Sequence, residues 1–316
     1  MSRSIPVLQG PRPHLPSWFK VRVHEGPDYK DIRRLTKELN LHTICEEARC
    51  PNIWECWNSR TATFLLLGEI CTRRCHYCAV TTGRPLPLDE AEPDRVSAAV
   101  KALGLRHAVL TSVNRDELPD GGARIFADTI KAIRRDLPTC TIEVLIPDFL
   151  GEAAALETLL SAKPEVLNHN IETVPRIFSL VRPQGRYDRS ISLLQAASSR
   201  GAVTKSGLMV GLGETREEVL ATMGDLREAG CSILSIGQYL QPTQAHWPVM
   251  RFYSPAEFDL FKDKGCAMGF RHVESGPLVR SSYHAEQQTE PSDAYSKASR
   301  DETSEKGLWQ ARQVTK

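Results

Sequence analysis

Thr63-Phe-Leu-Leu-Leu67-Gly68-Glu-Ile-Cys71-Thr-Arg-Arg-Cys75-His-Tyr-Cys78 is an apolar run, a glycine turn and three closely spaced cysteines. The run Thr63–Leu67 is short, apolar and bounded by a turn signal, as a buried strand is. The cysteines therefore sit on a loop at that strand's C-terminal end. Spacing of three and then two residues lets three thiolates on one tight loop wrap a compact cluster and bind three of its four irons. The fourth iron then has no cysteine, and an open site is what a reacting ligand needs. A zinc reading requires a fourth donor, for which His76 is the local candidate.

Downstream the same texture recurs. Ala108–Thr111, Thr141–Ile146, Val166–Asn170, Thr204–Val210 and Ser232–Tyr239 read as strands. Helical patterns lie between and after them near 94–103, 125–136, 152–161, 190–199, 216–229 and 255–268. Six strand–helix units in series imply parallel strands joined by right-handed crossovers. Both a doubly wound sheet and a barrel satisfy this, and six units are too few for a closed eight-stranded barrel. Conspicuous polar residues fall at or just beyond strand C-termini: Thr111 to Asn114, Asn168 and Asn170, Gly211 to Glu214, Gln238 and Gln241. A ring of functional strand ends suits a barrel mouth, so the expected fold is α/β, a partial parallel (β/α)6 barrel over residues 61–270. An arm over 1–60 precedes it, with one helix beginning at Asp28 or Asp31 and running through Ile32, Leu35 and Leu39. A C-terminal segment, 271–284, follows. From Ala285 to 316 the chain is rich in Ser, Glu, Gln and Lys, with only Leu308 and Trp309 able to anchor it, and is expected to be a disordered tail.

The chain has 316 residues, with 40 basic and 39 acidic side chains. A formal charge of +1 and the lack of a basic stripe argue against a nucleic-acid partner. No apolar run approaches the length of a membrane span. Arg3 and Arg12, with no acid before Glu25, resemble an organelle transit peptide, but Pro6, Pro11, Pro13 and Pro16 oppose the amphipathic helix it needs. Six of nine cysteines fall between Cys45 and Cys78, a concentration that points to metal binding in a reducing compartment and a cytoplasmic protein. Cys140, Cys231 and Cys266 read as inert core thiols.

Cys45-Glu-Glu-Ala-Arg-Cys50-Pro-Asn-Ile-Trp-Glu-Cys56 is a second triad, which by itself fits a zinc knuckle or a cluster. The first triad, with Tyr77 before its last cysteine, resembles the signature of the radical S-adenosylmethionine (SAM) superfamily. Both triads together with Arg280-Ser281-Ser282-Tyr283 resemble the lipoyl synthase family, over about residues 15 to 285. That resemblance implies a barrel of the radical SAM type with N- and C-terminal extensions and two 4Fe-4S clusters. Cys71, Cys75 and Cys78 would hold the cluster that binds SAM and cleaves it to a 5′-deoxyadenosyl radical. Cys45, Cys50 and Cys56 would hold an auxiliary cluster, with the second serine of the motif, Ser282, as its fourth ligand. It further implies insertion of two sulfurs at C6 and C8 of an octanoyl chain, amide-linked to a lysine of a lipoyl carrier domain. Such carriers are the glycine cleavage H protein and 2-oxoacid dehydrogenase E2 subunits, and a small electron-transfer protein, ferredoxin or flavodoxin, would supply electrons.

By the same resemblance Gly207-Leu-Met-Val-Gly211-Leu-Gly-Glu214 packs near the adenine, and Thr111-Ser-Val-Asn114 lies where many superfamily members bind the methionine amine. The amide and carboxylate groups of Asn168, Asn170 and Glu172 suit ribose hydroxyls and that amine. Tyr77 and Gln238 complete the expected cofactor contacts, with turn or cap chemistry as the alternative for each of the three strand-end motifs. Arg182 and Arg186 are candidates for gripping a carrier or the cofactor carboxylate, or form a solvated pair. No catalytic side chain beyond the cluster ligands is expected. The rival readings are a methylthio-transferring enzyme and a zinc-dependent scaffold.

Overall fold

A computed structural model describes residues 14–21, 23–48 and 50–288. The arm holds helix α1 (Pro27–Glu38), the two-residue strand β1 (His42–Thr43), and short helices α2 (Ile44–Glu47) and α3 (Ile53–Asn58). Only the first helix was legible in the sequence; α2 and α3 are too short for periodicity to reveal. Then come β2 (Ala62–Leu66), α4 (Glu92–Leu103), β3 (His107–Ser112), α5 (Ala123–Asp136), β4 (Thr141–Leu145), α6 (Ala153–Ser161) and β5 (Val166–Asn168). The series continues through α7 (Pro175–Val181), α8 (Tyr187–Ser199), β6 (Thr204–Val210), α9 (Arg216–Glu228), β7 (Ile233–Gln238), α10 (Pro255–Ala267) and β8 (His272–Gly276). A final turn of helix, α11, covers Ala285–Gln288.

One sheet contains all eight strands in sequence order. β1 runs antiparallel to β2, and β2 through β8 are parallel. Sequence order with right-handed crossovers places the helices on one face and leaves the other to curl around an interior, as a barrel wall does. No pairing joins β8 back to β1, so hydrogen bonds leave the wall open. The six expected units thus become seven parallel strands, because β8 extends the series. Its sequence, His-Val-Glu-Ser-Gly, has one buried apolar residue and little strand signal. Strand and helix ends fall within three residues of the expected ones.

Register defines the inner face. Thr63, Val109, Glu143 and Val166 align across β2 to β5, and Leu65, Thr111, Leu145 and Asn168 form the next row toward the C-terminal ends. Glu143 and Lys205 are both buried on that face and pair at 3.0 Å. Loop positions are fixed by local chemistry: capping boxes Thr215/Glu218 and Ser254/Glu257 start α9 and α10.

Two expectations are corrected. The tail assigned from Ala285 begins with α11, in which Ala285 and Gln288 are buried; residues 289–316, with Leu308 and Trp309, lie outside the described residues, as do residues 1–13. Cys140 and Cys231 are buried, but Cys266 on α10 is exposed and is not a core thiol.

Candidate metal centres

The loop after β2 is held from three sides. It closes on itself, the Cys71 N–H donating to the Thr81 carbonyl at 2.8 Å and the Gly83 N–H to the Cys71 carbonyl at 3.0 Å. It is zipped to the loop after β3, where the Thr72 N–H and hydroxyl both donate to the Asn114 carbonyl, at 3.0 and 2.9 Å. Arg73, between the first two cysteines, is 1% exposed; its guanidinium donates twice to Asp116 and reaches Asp148 at 2.5 Å. Burial opposes ionisation of Asp148, but the Arg73 hydrogen bond and charge outweigh it and hold that carboxyl well below the usual range.

Above this loop an open cavity of about 180 Å³ is lined by Cys71, Cys75, Cys78, Tyr77, Thr111, Asn114, Asn170 and Glu172, with Arg73 and Arg182 among the other residues. His76 does not line it; its backbone and Nδ1 contact the Val181 and Leu180 carbonyls. The zinc donor set of three cysteines and His76 is therefore not assembled. Backbone N–H groups of Arg73 and Asn114 point at Cys71 Sγ, at 3.4 and 3.3 Å, as donors to a thiolate do. Burial pushes Cys78 up to about 12 and Cys75 up as well, so these thiols ionise when a metal takes the proton's place. Ser112 Oγ, Asn114 Oδ1 and Asn170 Oδ1 are buried without a partner among the described residues, two of them acceptors suited to an ammonium group. These residues fit an iron cluster with an amino-acid ligand.

Glu172 adopts φ of +69°, a strained conformation for glutamate, fixed by backbone bonds to Gly207 and Met209. Burial pushes its carboxyl up, with Arg182 opposing. Arg182 is buried and donates to the Asn170 carbonyl at 3.2 Å, whereas Arg186 is exposed and pairs with Asp188. The two arginines are not a solvated pair. Arg182 faces the cavity, a role for which its sequence context gave only one option among three.

Four expected cofactor contacts are not among this cavity's lining residues. Asn168 donates to Glu143 at 3.0 Å. The Glu214 carboxylate accepts the Gly211 and Leu212 N–H groups at 2.6 and 2.9 Å. Gln238 accepts from the Tyr253 N–H and donates to the Arg251 carbonyl. Gly211, at φ +102°, lies so close to Gln238 and Arg251 that a Cβ would collide with both. Gly211 and Glu214 build the turn after β6, Gln238 braces the segment before α10, and Asn168 ties the end of β5 to β4.

The second triad converges on a smaller, tightly closed cavity of about 10 Å³, lined by Cys45, Cys50, Cys56 and Ser282 together with Thr61, Thr63 and Arg280. Thr63 belongs to β2 and Ser282 to the segment leaving β8, so this cavity lies where the open wall's two ends meet. Asn52, between Cys50 and Cys56, donates to the Leu278 carbonyl at 2.7 Å, and the Tyr283 hydroxyl donates to Glu55 at 3.1 Å. Ser281 faces away from this group; Asn170 Nδ2 donates to its hydroxyl at 3.5 Å, linking the two cavities. Burial pushes Cys45 up to about 12, with Cys50 adding to it, and raises Cys56 further, with Cys45 and Cys50 as neighbours. Thiols that oppose one another's ionisation suit a shared cationic centre.

Comparison with known proteins places this architecture. The radical SAM superfamily model matches residues 65–226, and that of the N-terminal domain of lipoyl synthase matches residues 2–50. The lipoyl synthase of Rubrobacter xylanophilus is 61% identical over 277 residues, covering 87% of this chain and 86% of the relative. That of a Roseiflexus species is 59% identical over 280 residues, covering 88% and 93%. Methylornithine synthase superposes with a TM-score of 0.52 at 14% identity, over 80% of this chain and 83% of that one, a likeness of fold. A parallel sheet in sequence order, with three cysteines on the loop after its first parallel strand, defines this chain as a radical SAM enzyme. It belongs to the lipoyl synthase family, which uses SAM and 4Fe-4S clusters. The methylthio-transferring and zinc-scaffold readings are not favoured.

Proposed function

We propose that this protein inserts sulfur at C6 and C8 of an octanoyl chain amide-linked to a lysine of a lipoyl carrier domain. One observation carries the reading: two separate thiol-lined cavities, the second completed by Ser282 from the far end of the sheet, with Ser281 and Asn170 in contact between them. Cys71, Cys75 and Cys78 hold one cluster, and Cys45, Cys50, Cys56 and Ser282 the other. When bound, the first cluster supplies the electron that cleaves SAM, and the second supplies sulfur.

The chain's own part is positioning. Asn114 and Asn170 offer acceptors to the cofactor amine, while Tyr77, Thr111 and Glu172 line its space. Asn168, Gly211, Glu214 and Gln238 shape the strand ends behind it. The arm (1–60), barrel (61–270) and C-terminal segment (271–284) are the working parts. Octanoylated H protein or E2 subunits would be substrates, and ferredoxin or flavodoxin the electron donor. Nine free cysteines fit the cytoplasm. Among the described residues no helix is long and apolar enough to cross a membrane. The test is anaerobic incubation with SAM, reductant and an octanoyl-lysine peptide. Mass spectrometry should show a peptide carrying two sulfurs, and a methylthiolated product would overturn the reading.

A further inference from the structure

Among the described residues, Arg280 is the only cationic side chain lining the second cavity. Among the described residues its guanidinium donates only to the neighbouring Val279 carbonyl, at 2.7 Å, and pairs with no carboxylate within 4.0 Å. Arg73, beside the first triad, differs in having two carboxylate partners. A guanidinium carried into a protein interior needs an anion, because the desolvation it suffers is not recovered from one neutral carbonyl. Among the described residues no carboxylate lines this cavity, so its negative charge comes from the cysteines once they are ionised.

The position of Arg280 is built. Gly237 on β7 approaches the segment so closely that a Cβ there would lie 2.1 Å from the Val279 carbonyl and 3.4 Å from Arg280 Nη1. Asn52 fixes Leu278 on one side, and Tyr283 is tied to Glu55 on the other. Backbone anchors thus hold Arg280 in the wall of the cavity that Cys45, Cys50 and Cys56 also line, within electrostatic reach of Cys50. Glu55 and Glu286 meanwhile add negative charge near Cys56.

We infer that Arg280 is the counter-cation of the auxiliary cluster and sets its reduction potential. This rests on the proposed function. Three thiolates leave a 4Fe-4S centre with net negative charge, and reduction adds another. A fixed cation beside it stabilises the reduced form, and net charge and hydrogen bonds to sulfur are the protein's levers on that potential. In a seam of low dielectric this charge acts more strongly than it would in water.

The test uses the full-length chain carrying Cys71→Ala, Cys75→Ala and Cys78→Ala, so that only the auxiliary cluster remains. Iron and sulfide content and an EPR-monitored redox titration are measured with Arg280, Arg280→Lys and Arg280→Gln. Arg280→Gln should make reduction at least tenfold less favourable, a shift of ~59 mV to more negative potential for one electron. Arg280→Lys should recover most of it. A fully loaded Arg280→Gln protein with unchanged potential overturns the inference. If Arg280→Gln fails to load, Arg280→Lys decides: loading with a near-native potential supports the charge, and failure of both assigns Arg280 to shape alone and overturns it. Absence of any cluster in the background carrying the native Arg280 would instead sink the proposed function.

Discussion

Ser282 and Asp148 show how single residues are committed here. Ser282 lines the auxiliary cavity and Ser281 does not, so Ser282→Ala should leave SAM cleavage to 5′-deoxyadenosine intact and reduce sulfur insertion sharply. Ser282→Cys should bind its iron more tightly, since thiolate suits iron better than a hydroxyl oxygen, and slow product formation. Parallel quantification of deoxyadenosine and thiolated peptide checks both; thiolation by Ser282→Ala at the native rate would remove Ser282 from the ligand set. Asp148 has a folded-state pKa below its unfolded value, so its contribution is fully present above the unfolded value of ~3.9 and is lost as pH falls through the folded one. Asp148→Asn should cost about 3 kcal/mol at pH 7 by leaving Arg73 short of a buried partner. Acid titration should narrow that difference, and a gap unchanged between pH 7 and pH 2 would contradict the assignment. The six cysteines were legible because their spacing is local. The Arg73–Asp148 pair was not, because it joins residues 75 positions apart that no pattern connects.

Elements were legible where hydrophobic periodicity is strong. α5, Ala123–Asp136, is one such helix, and the start of α9 is marked by a capping box. Periodicity was silent for α7, whose seven residues begin at Pro175, and for α3, whose six residues include Cys56. α3 matters most, since it carries Cys56 and its cap residue Asn52 ties the arm to the C-terminal segment. Asn52→Ala strands the Leu278 carbonyl in a partly buried setting, a loss of about 1–3 kcal/mol local to that junction. Auxiliary-cluster iron should then be released faster to a chelator while the radical-generating cluster is unaffected. Hydrogen exchange across 278–283 should rise as well. Native-like protection of that segment would show that the bond does not hold it.

At the scale of the whole molecule, alternating strands and helices narrowed the fold to a doubly wound sheet or a barrel wall, and the position of polar residues at strand ends favoured the wall. The order β1 to β8 agrees with that choice. The seam could not be read, because it depends on β8, a strand with weak propensity, and on a two-residue β1. Polar inner residues such as Glu143 and Lys205 were likewise hidden, since Lys205 is satisfied by Glu143 of β4, and Glu143 by Lys205 of β6 and Asn168 of β5. The seam has a consequence in time. Cys45 and Ser282 stand 237 positions apart. At ribosomal speeds of about 5–20 residues per second, the three cysteines of the proposed ligand set would wait tens of seconds for Ser282. The radical-generating triad is complete within eight residues and meets its supporting loop after β3 soon afterwards. The two centres therefore mature in sequence: the first can be filled on a nascent chain, while the second can be completed only once synthesis has passed Ser282. Ribosome-bound chains stalled before Leu278 should accept one stable cluster upon reconstitution, and two equally stable clusters on such chains would refute this order of assembly.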